Sequence, residues 1–210
     1  MTGDDRGPGR PGAAAFDFDG TLVRGDSLGA YLARLCGSSN FARTLARSAP
    51  AMLAAYRVSG RDGAKAALLA RSVAGIPLEV AKSHGEAHGL ALASRVRPAM
   101  AARLEWHRSR SHRLVLVSAS LELYLEPFGR KIGFDEVIAT RLEVREDGCL
   151  SGRLLGPNVR GEEKAVRLRS FLGEAPVELW AYGDSEGDRH MLAMADHPLL
   201  VNRSANRAAP

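Results

Sequence analysis

Cysteine is scarce in this chain of 210 residues: Cys36 and Cys149 are too few for a disulfide framework. Both are read as packed thiols, and a reducing cytoplasm is the expected location. No run of about 18 consecutive apolar residues occurs, so no transmembrane helix is expected. Residues 1–12 hold Gly and Pro but no apolar core, so they do not read as a secretory signal. Lysine is also scarce: Lys65, Lys82, Lys131 and Lys164 are the only four among 29 basic residues, and the arginines are scattered. With no dense basic block, no Cys/His finger and no stacking aromatics between basic residues, the net charge of +5 reads as general use of Arg for solubility. Nucleic-acid binding is therefore not expected.

What is present is ordinary for a folded chain: 45% hydrophobic and 25% charged residues. The length suits one domain, or one domain with an insertion. Short apolar runs at 13–18, 113–117 and 177–182 read as strands, with shorter ones at 136–139 and 199–201. Helical stretches are expected at 28–37, 41–57, 62–73, 78–93, 96–110, 120–132, 161–172 and 185–195, with breaks at Gly37, Pro50, Gly60 and Pro77. Segments 142–144 and 150–155 flank Asp147-Gly148, a hairpin turn dipeptide. Continuous apolar strands alternating with helices predict an α/β fold with a parallel sheet covered on both faces. About 70 purely helical residues separate the first strand from the next of its kind, too many for one crossover. Residues 28–94 are therefore read as an inserted helical cap, 13–27 and 95–202 as the core, and 1–12 and 203–210 as tails.

Three strands end in polar clusters: Asp17 to Thr21, Ser118-Ala119-Ser120, and Gly183 to Asp188. In open α/β sheets ligands bind at the carboxyl ends of strands, so the clusters should meet at one edge. Asp17 and Asp19 are two apart in extended chain and start from one side. Carboxylates that close repel unless a cation or a proton sits between them. Asp184 adds a third, and hard oxygen donors without His or Cys suit Mg²⁺. Ser185 and Asp188 also fit a capping pattern. Lys164 lies at a helix start, where its charge opposes the dipole, which suggests that it serves an anion. Gly161 to Lys164 is no P-loop, because the pattern Gly-x-x-x-x-Gly-Lys-Ser/Thr is absent. His84 and His88 read as a surface pair.

Taken in order, Asp17-Phe18-Asp19-Gly20-Thr21, Ser118, Lys164 and Gly183-Asp184-Ser185-Glu186-Gly187-Asp188 resemble the four motifs of the haloacid dehalogenase-like phosphatases. The resemblance spans about residues 13–202. The helical insert, the hairpin and Gly161 to Lys164 look like the phosphoserine-phosphatase branch with its helical cap. The resemblance implies a Rossmann-like core, Mg²⁺ dependence and hydrolysis of a phosphomonoester. Asp17 would be the nucleophile. Asp19 would protonate the leaving oxygen and then activate water. Asp17, the main-chain carbonyl of Asp19 and Asp184 would hold Mg²⁺, with Asp188 in support. Ser118, Lys164 and the amides of Gly20 and Ala119 would hold the phosphoryl oxygens. Asp26 and Arg71 would line the substrate pocket, matching the residues of that branch that meet a substrate amine and carboxylate.

The expected partner is a small phosphate ester of phosphoserine, amino-alcohol phosphate or histidinol-phosphate type, with the chain a monomer or homodimer and phosphoryl transfer still open. One alternative is a lipid-headgroup phosphatase resembling phosphatidylglycerophosphatases. In residues 41–61, Phe41, Leu45, Met52, Leu53 and Tyr56 alternate with Arg43, Arg47 and Arg57, a mixture that suits a membrane surface. The expected break at Pro50 and packing of the cap on its core explain the pattern more simply. The other alternative is a non-catalytic ligand-binding member of the fold, although no reacting group is missing.

Overall fold

The computed structural model describes residues 10–201. Residues 1–9 and 202–210 lie outside it, so most of the segments read as tails are not among the described residues. The central strand β1 (Gly12–Phe16) carries small residues because both its faces are covered. It pairs in parallel with β2 (Arg113–Leu121) on one side and β6 (Glu178–Gly183) on the other. With β3 (Glu136–Thr140) and β7 (His197–Leu200) the sheet runs β3-β2-β1-β6-β7, every pairing parallel. Side-chain alternation divides the core. Ala14, Phe16, Leu114 and Leu116 join one apolar cluster, while Ala13, Ala15, Val115 and Val117 join the other.

Four helices connect β1 to β2: α1 (Ser27–Cys36), α2 (Ser38–Ser72), α3 (Leu78–Ala93) and α4 (Pro98–Arg108). The helix α5 (Glu122–Ile132) leads to β3; then come the antiparallel hairpin β4 (Leu142–Val144) and β5 (Leu150–Leu154), α6 (Glu162–Leu172), and, after β6, a single 3₁₀ turn and α7 (Arg189–Ala193). The hairpin turns at Gly148 with φ 76°, as the Asp-Gly dipeptide predicts.

Two helix expectations are corrected. Pro50 does not end a helix: α2 runs through it and departs from helical geometry only at Ser59 and Gly60, the latter an expected break, with φ 59°. His88 is not a surface residue. Gly85, His88, Gly89 and Leu92 form one face of α3 turned to the interior. A Cβ at 85 would lie 2.2 Å from the Leu123 carbonyl and one at 89 would lie 2.3 Å from that of Tyr124, so the two glycines let α3 sit directly on α5. His88 thereby packs its ring against Tyr31 and Tyr124, with Nε2 3.2 Å from the Ser27 carbonyl.

On α4, the fully buried His107 faces Tyr182 Oη through Nε2 (2.9 Å) and His112 Nδ1 through Nδ1 (2.8 Å). Burial, aided by His112 and the charges of Arg103 and Arg110, lowers its pKa from 6.5 to about 3. The folded chain therefore keeps His107 neutral at pH values where the unfolded chain protonates it. Its contribution to stability is complete above pH 6.5 and falls by about 1.4 kcal/mol per unit as pH drops toward 3. Between pH 7 and pH 5, urea unfolding should show the wild type losing about 2 kcal/mol more than His107→Gln. Equal losses in the two proteins would refute the assignment.

Candidate active site

Asp17 follows β1, and its N–H donates to the Tyr182 carbonyl of neighbouring β6 (2.9 Å). Its buried carboxylate accepts from Lys164 Nζ at 2.5 Å. Lys164 is equally buried, on the first turn of α6, and also donates to Asp188 Oδ1 at 2.6 Å. The other Asp188 oxygen accepts from the Asp184 and Ser185 amides and the Ser185 hydroxyl, at 3.1, 3.0 and 2.8 Å. The capping pattern is thus realised on one oxygen of Asp188, while the other is held by Lys164.

The two carboxylates on Lys164 respond in opposite directions. Burial pushes the Asp17 pKa up, with Asp188 adding to it, and Lys164 only partly offsets the rise. Burial pushes Asp188 the same way, but Lys164 and the Ser185 donors outweigh it and hold it below the usual carboxylate range. Burial lowers the Lys164 ammonium, and the two carboxylates more than restore it.

Carboxylate oxygens of Asp17, Asp184 and Asp188 lie within 4.8 Å of one another. All are hard donors with no His or Cys among them, a set that fits a small divalent cation. A Cβ at Gly20 would fall 2.0 Å from Asp184 Oδ2, so the cradle exists because position 20 has no side chain. The Asp19 carboxylate points elsewhere: Oδ1 accepts from the Ser27 amide, and Oδ2 from the Ser27 and Ser120 hydroxyls, at 2.9, 2.9 and 2.6 Å. A metal contact from Asp19 is thus left to its main-chain carbonyl. Burial raises its pKa to about 6 against those hydrogen bonds, into the range useful for proton transfer near neutral pH.

Asp17, Asp19, Ser118, Lys164, Asp184 and Asp188 line one cavity of about 800 Å³. Residues 14–193 match the haloacid dehalogenase-like hydrolases. The chain belongs to that family. It is similar to Protein CicA of Caulobacter vibrioides, 37% identical over 187 residues that cover 89% of this chain and 84% of CicA. It is also similar to the phosphoserine phosphatase SerB2 of Mycobacterium tuberculosis, 30% identical over 192 residues covering 89% of this chain and 43% of SerB2. Among solved structures, a protein of unknown function from Bordetella pertussis Tohama I shares the fold with a TM-score of 0.69 at 24% identity, covering 88% of this chain and 87% of that one.

Other expected site residues of this hydrolase fall in different places. Ser118 is buried, and its Oγ accepts from the Ser120 amide (3.1 Å). A register shift between Ser118 and Leu121 takes Ala119 and Ser120 out of step with β3 at the cavity floor. The Gly20 amide is not available to a phosphate, because it closes a turn onto the Val23 carbonyl (2.8 Å). Gly20 matters instead for the space that it leaves to Asp184. Asp26 lines the cavity, and its Oδ1 caps α1 through the Leu28 amide (2.9 Å). Arg71 is exposed on α2 and does not line the cavity.

Lys65, on the inward side of α2, lines the cavity in its place. Its Nζ donates to the Ala119 carbonyl (2.5 Å) and Asn158 Oδ1 (2.6 Å), while Asn158 donates to Asp62 (2.8 Å). Burial lowers the Lys65 pKa to about 8 despite nearby Asp62, Asp26 and Asp19. The scarcity of lysine was the available signal: two of the four lysines line this cavity.

Proposed function

We propose that this hydrolase is a Mg²⁺-dependent phosphomonoesterase that works through an aspartyl-phosphate on Asp17. The observation that carries the proposal is the meeting of Asp17, Asp19, Ser118, Lys164 and Asp184 in one cavity. Asp17, Asp184 and the Asp19 carbonyl would hold the cation, with Asp188 in support. When bound, it would offset charge on the phosphoryl oxygens. An Asp17 oxygen attacks phosphorus, and the P–O bond to the leaving group breaks as Asp19 delivers its proton to that oxygen. Asp19 then takes a proton from water, whose oxygen attacks the phosphorus and releases phosphate and free Asp17. Lys164 and the Ser118 hydroxyl hold phosphoryl oxygens.

The substrate class is a small phosphorylated metabolite, in keeping with the family, with similarity to a phosphoserine phosphatase, and with the cavity volume. Chelator-treated protein should not hydrolyse para-nitrophenyl phosphate, and added Mg²⁺ should restore turnover. A panel of phosphate esters assayed the same way then reads the substrate. Full activity in excess chelator, or no hydrolysis of any ester in Mg²⁺, would overturn the proposal.

A further inference from the structure

Between Asp26 and Asp62 the chain has no acidic residue but five arginines, at 34, 43, 47, 57 and 61. Most of that segment is the arm of α2 before its break at Ser59, about 30 Å of helix. One side of the arm, with Phe41, Ser48, Met52 and Ala55, is wholly or partly buried. Leu45, Ala49, Leu53 and Tyr56 lie on the outer side, at spacings of four, four and three that place them within about 80° of helix circumference. Leu45, Leu53 and Tyr56 are 41%, 52% and 53% exposed. Arg57, Arg43 and Arg47 follow on the adjoining strip, all exposed and in no ion pair among the described residues. Packing against the core does not account for this apolar stripe, and Pro50 does not interrupt the helix that carries it.

We infer that this arm is a docking surface for an anionic lipid bilayer. Three exposed apolar side chains beside three guanidinium groups in no ion pair among the described residues, with no acid on the arm itself, suit a helix lying in the headgroup layer. Leucine and tyrosine would enter the acyl boundary, and the arginines would meet the phosphates. Tyr56 also lines the catalytic cavity, so a bilayer seated on the arm would lie beside its mouth. The inference rests on surface composition alone and is independent of the proposed reaction.

The test is co-sedimentation of the full chain with phosphatidylcholine vesicles, with and without phosphatidylglycerol, at low and high salt. Binding should require phosphatidylglycerol and weaken with salt. Leu45→Glu/Leu53→Glu and Arg43→Glu/Arg47→Glu should each lower it at least about tenfold. Neither pair touches the cavity, so the thermal midpoint should be unchanged, and size-exclusion chromatography should show no change of oligomeric state. Three results would overturn the inference: no binding to phosphatidylglycerol vesicles at low salt, binding that survives both double substitutions, or a dimer dissolved by the leucine pair without lipid binding. The last would assign the stripe to a second copy of the chain.

Discussion

Replacing Asp17 by Asn is expected to lower turnover of para-nitrophenyl phosphate by roughly 10⁴-fold or more, because the amide cannot attack phosphorus. The fold should survive. Asp17 is a buried carboxylate whose charged form is disfavoured where it sits, and Asp188 remains to partner Lys164. A neutral amide removes both the burial of that charge and its repulsion of Asp188. The thermal midpoint of metal-free Asp17→Asn should therefore equal or exceed that of the wild type. Substantial residual turnover would remove Asp17 from the chemistry. A collapse of the midpoint would mean that Asp17 holds the fold through Lys164, and the loss of activity would then say little about catalysis.

The second large effect concerns Asp19, and it depends on the ester. An alkyl leaving group needs a proton and a dinitrophenyl group does not. Asp19→Asn should therefore lower alkyl phosphate hydrolysis by about 10²- to 10⁴-fold. With dinitrophenyl phosphate the first step should remain fast. Because the second step also needs Asp19, a burst of dinitrophenolate equal to the enzyme concentration should precede slow turnover. The three hydrogen bonds from Ser27 and Ser120 place this carboxylate away from the metal cradle, so the variant should bind the cation normally. Equal losses on both esters without a burst would rule out a proton-transfer role.

Much of this site was legible because it sits where short-range rules apply. The apolar runs before Asp17, Ser118 and Asp184 could only be buried strands, and a parallel sheet brings their carboxyl ends together. Lys164 stood out because a cation opposes a helix start; its local partners proved to be two carboxylates. The cap was less legible because its contacts are set over long stretches of chain. Lys65 meets Ala119 across 54 positions and Asn158 across 93, and no local pattern announces either contact. Arg71, expected in the pocket, lies on the outside of α2. His88 looked like half of a surface pair because His84 stands one turn away. Its burial follows from Gly85 and Gly89, whose importance shows only once α5 is beside them. Pro50 misled in the opposite sense, since a proline inside a helix is tolerated here on an exposed position.

The close seating of α3 on α5 bears on how such a hydrolase could be remodelled. Tyr31, Leu32, Ala81 and Leu92 of the inserted helices belong to the same apolar cluster as Phe16, Phe18, Leu116 and Tyr124 of the core. The insertion is therefore not a detachable module. A chimera that grafts another relative's cap between residues 27 and 95 would lose the close fit to Leu123 and Tyr124 on α5 unless α5 were exchanged with it. Diversification of the pocket is left to the stretch of α2 after its break, where Arg61, Asp62, Ala64 and Lys65 line the cavity without belonging to that cluster.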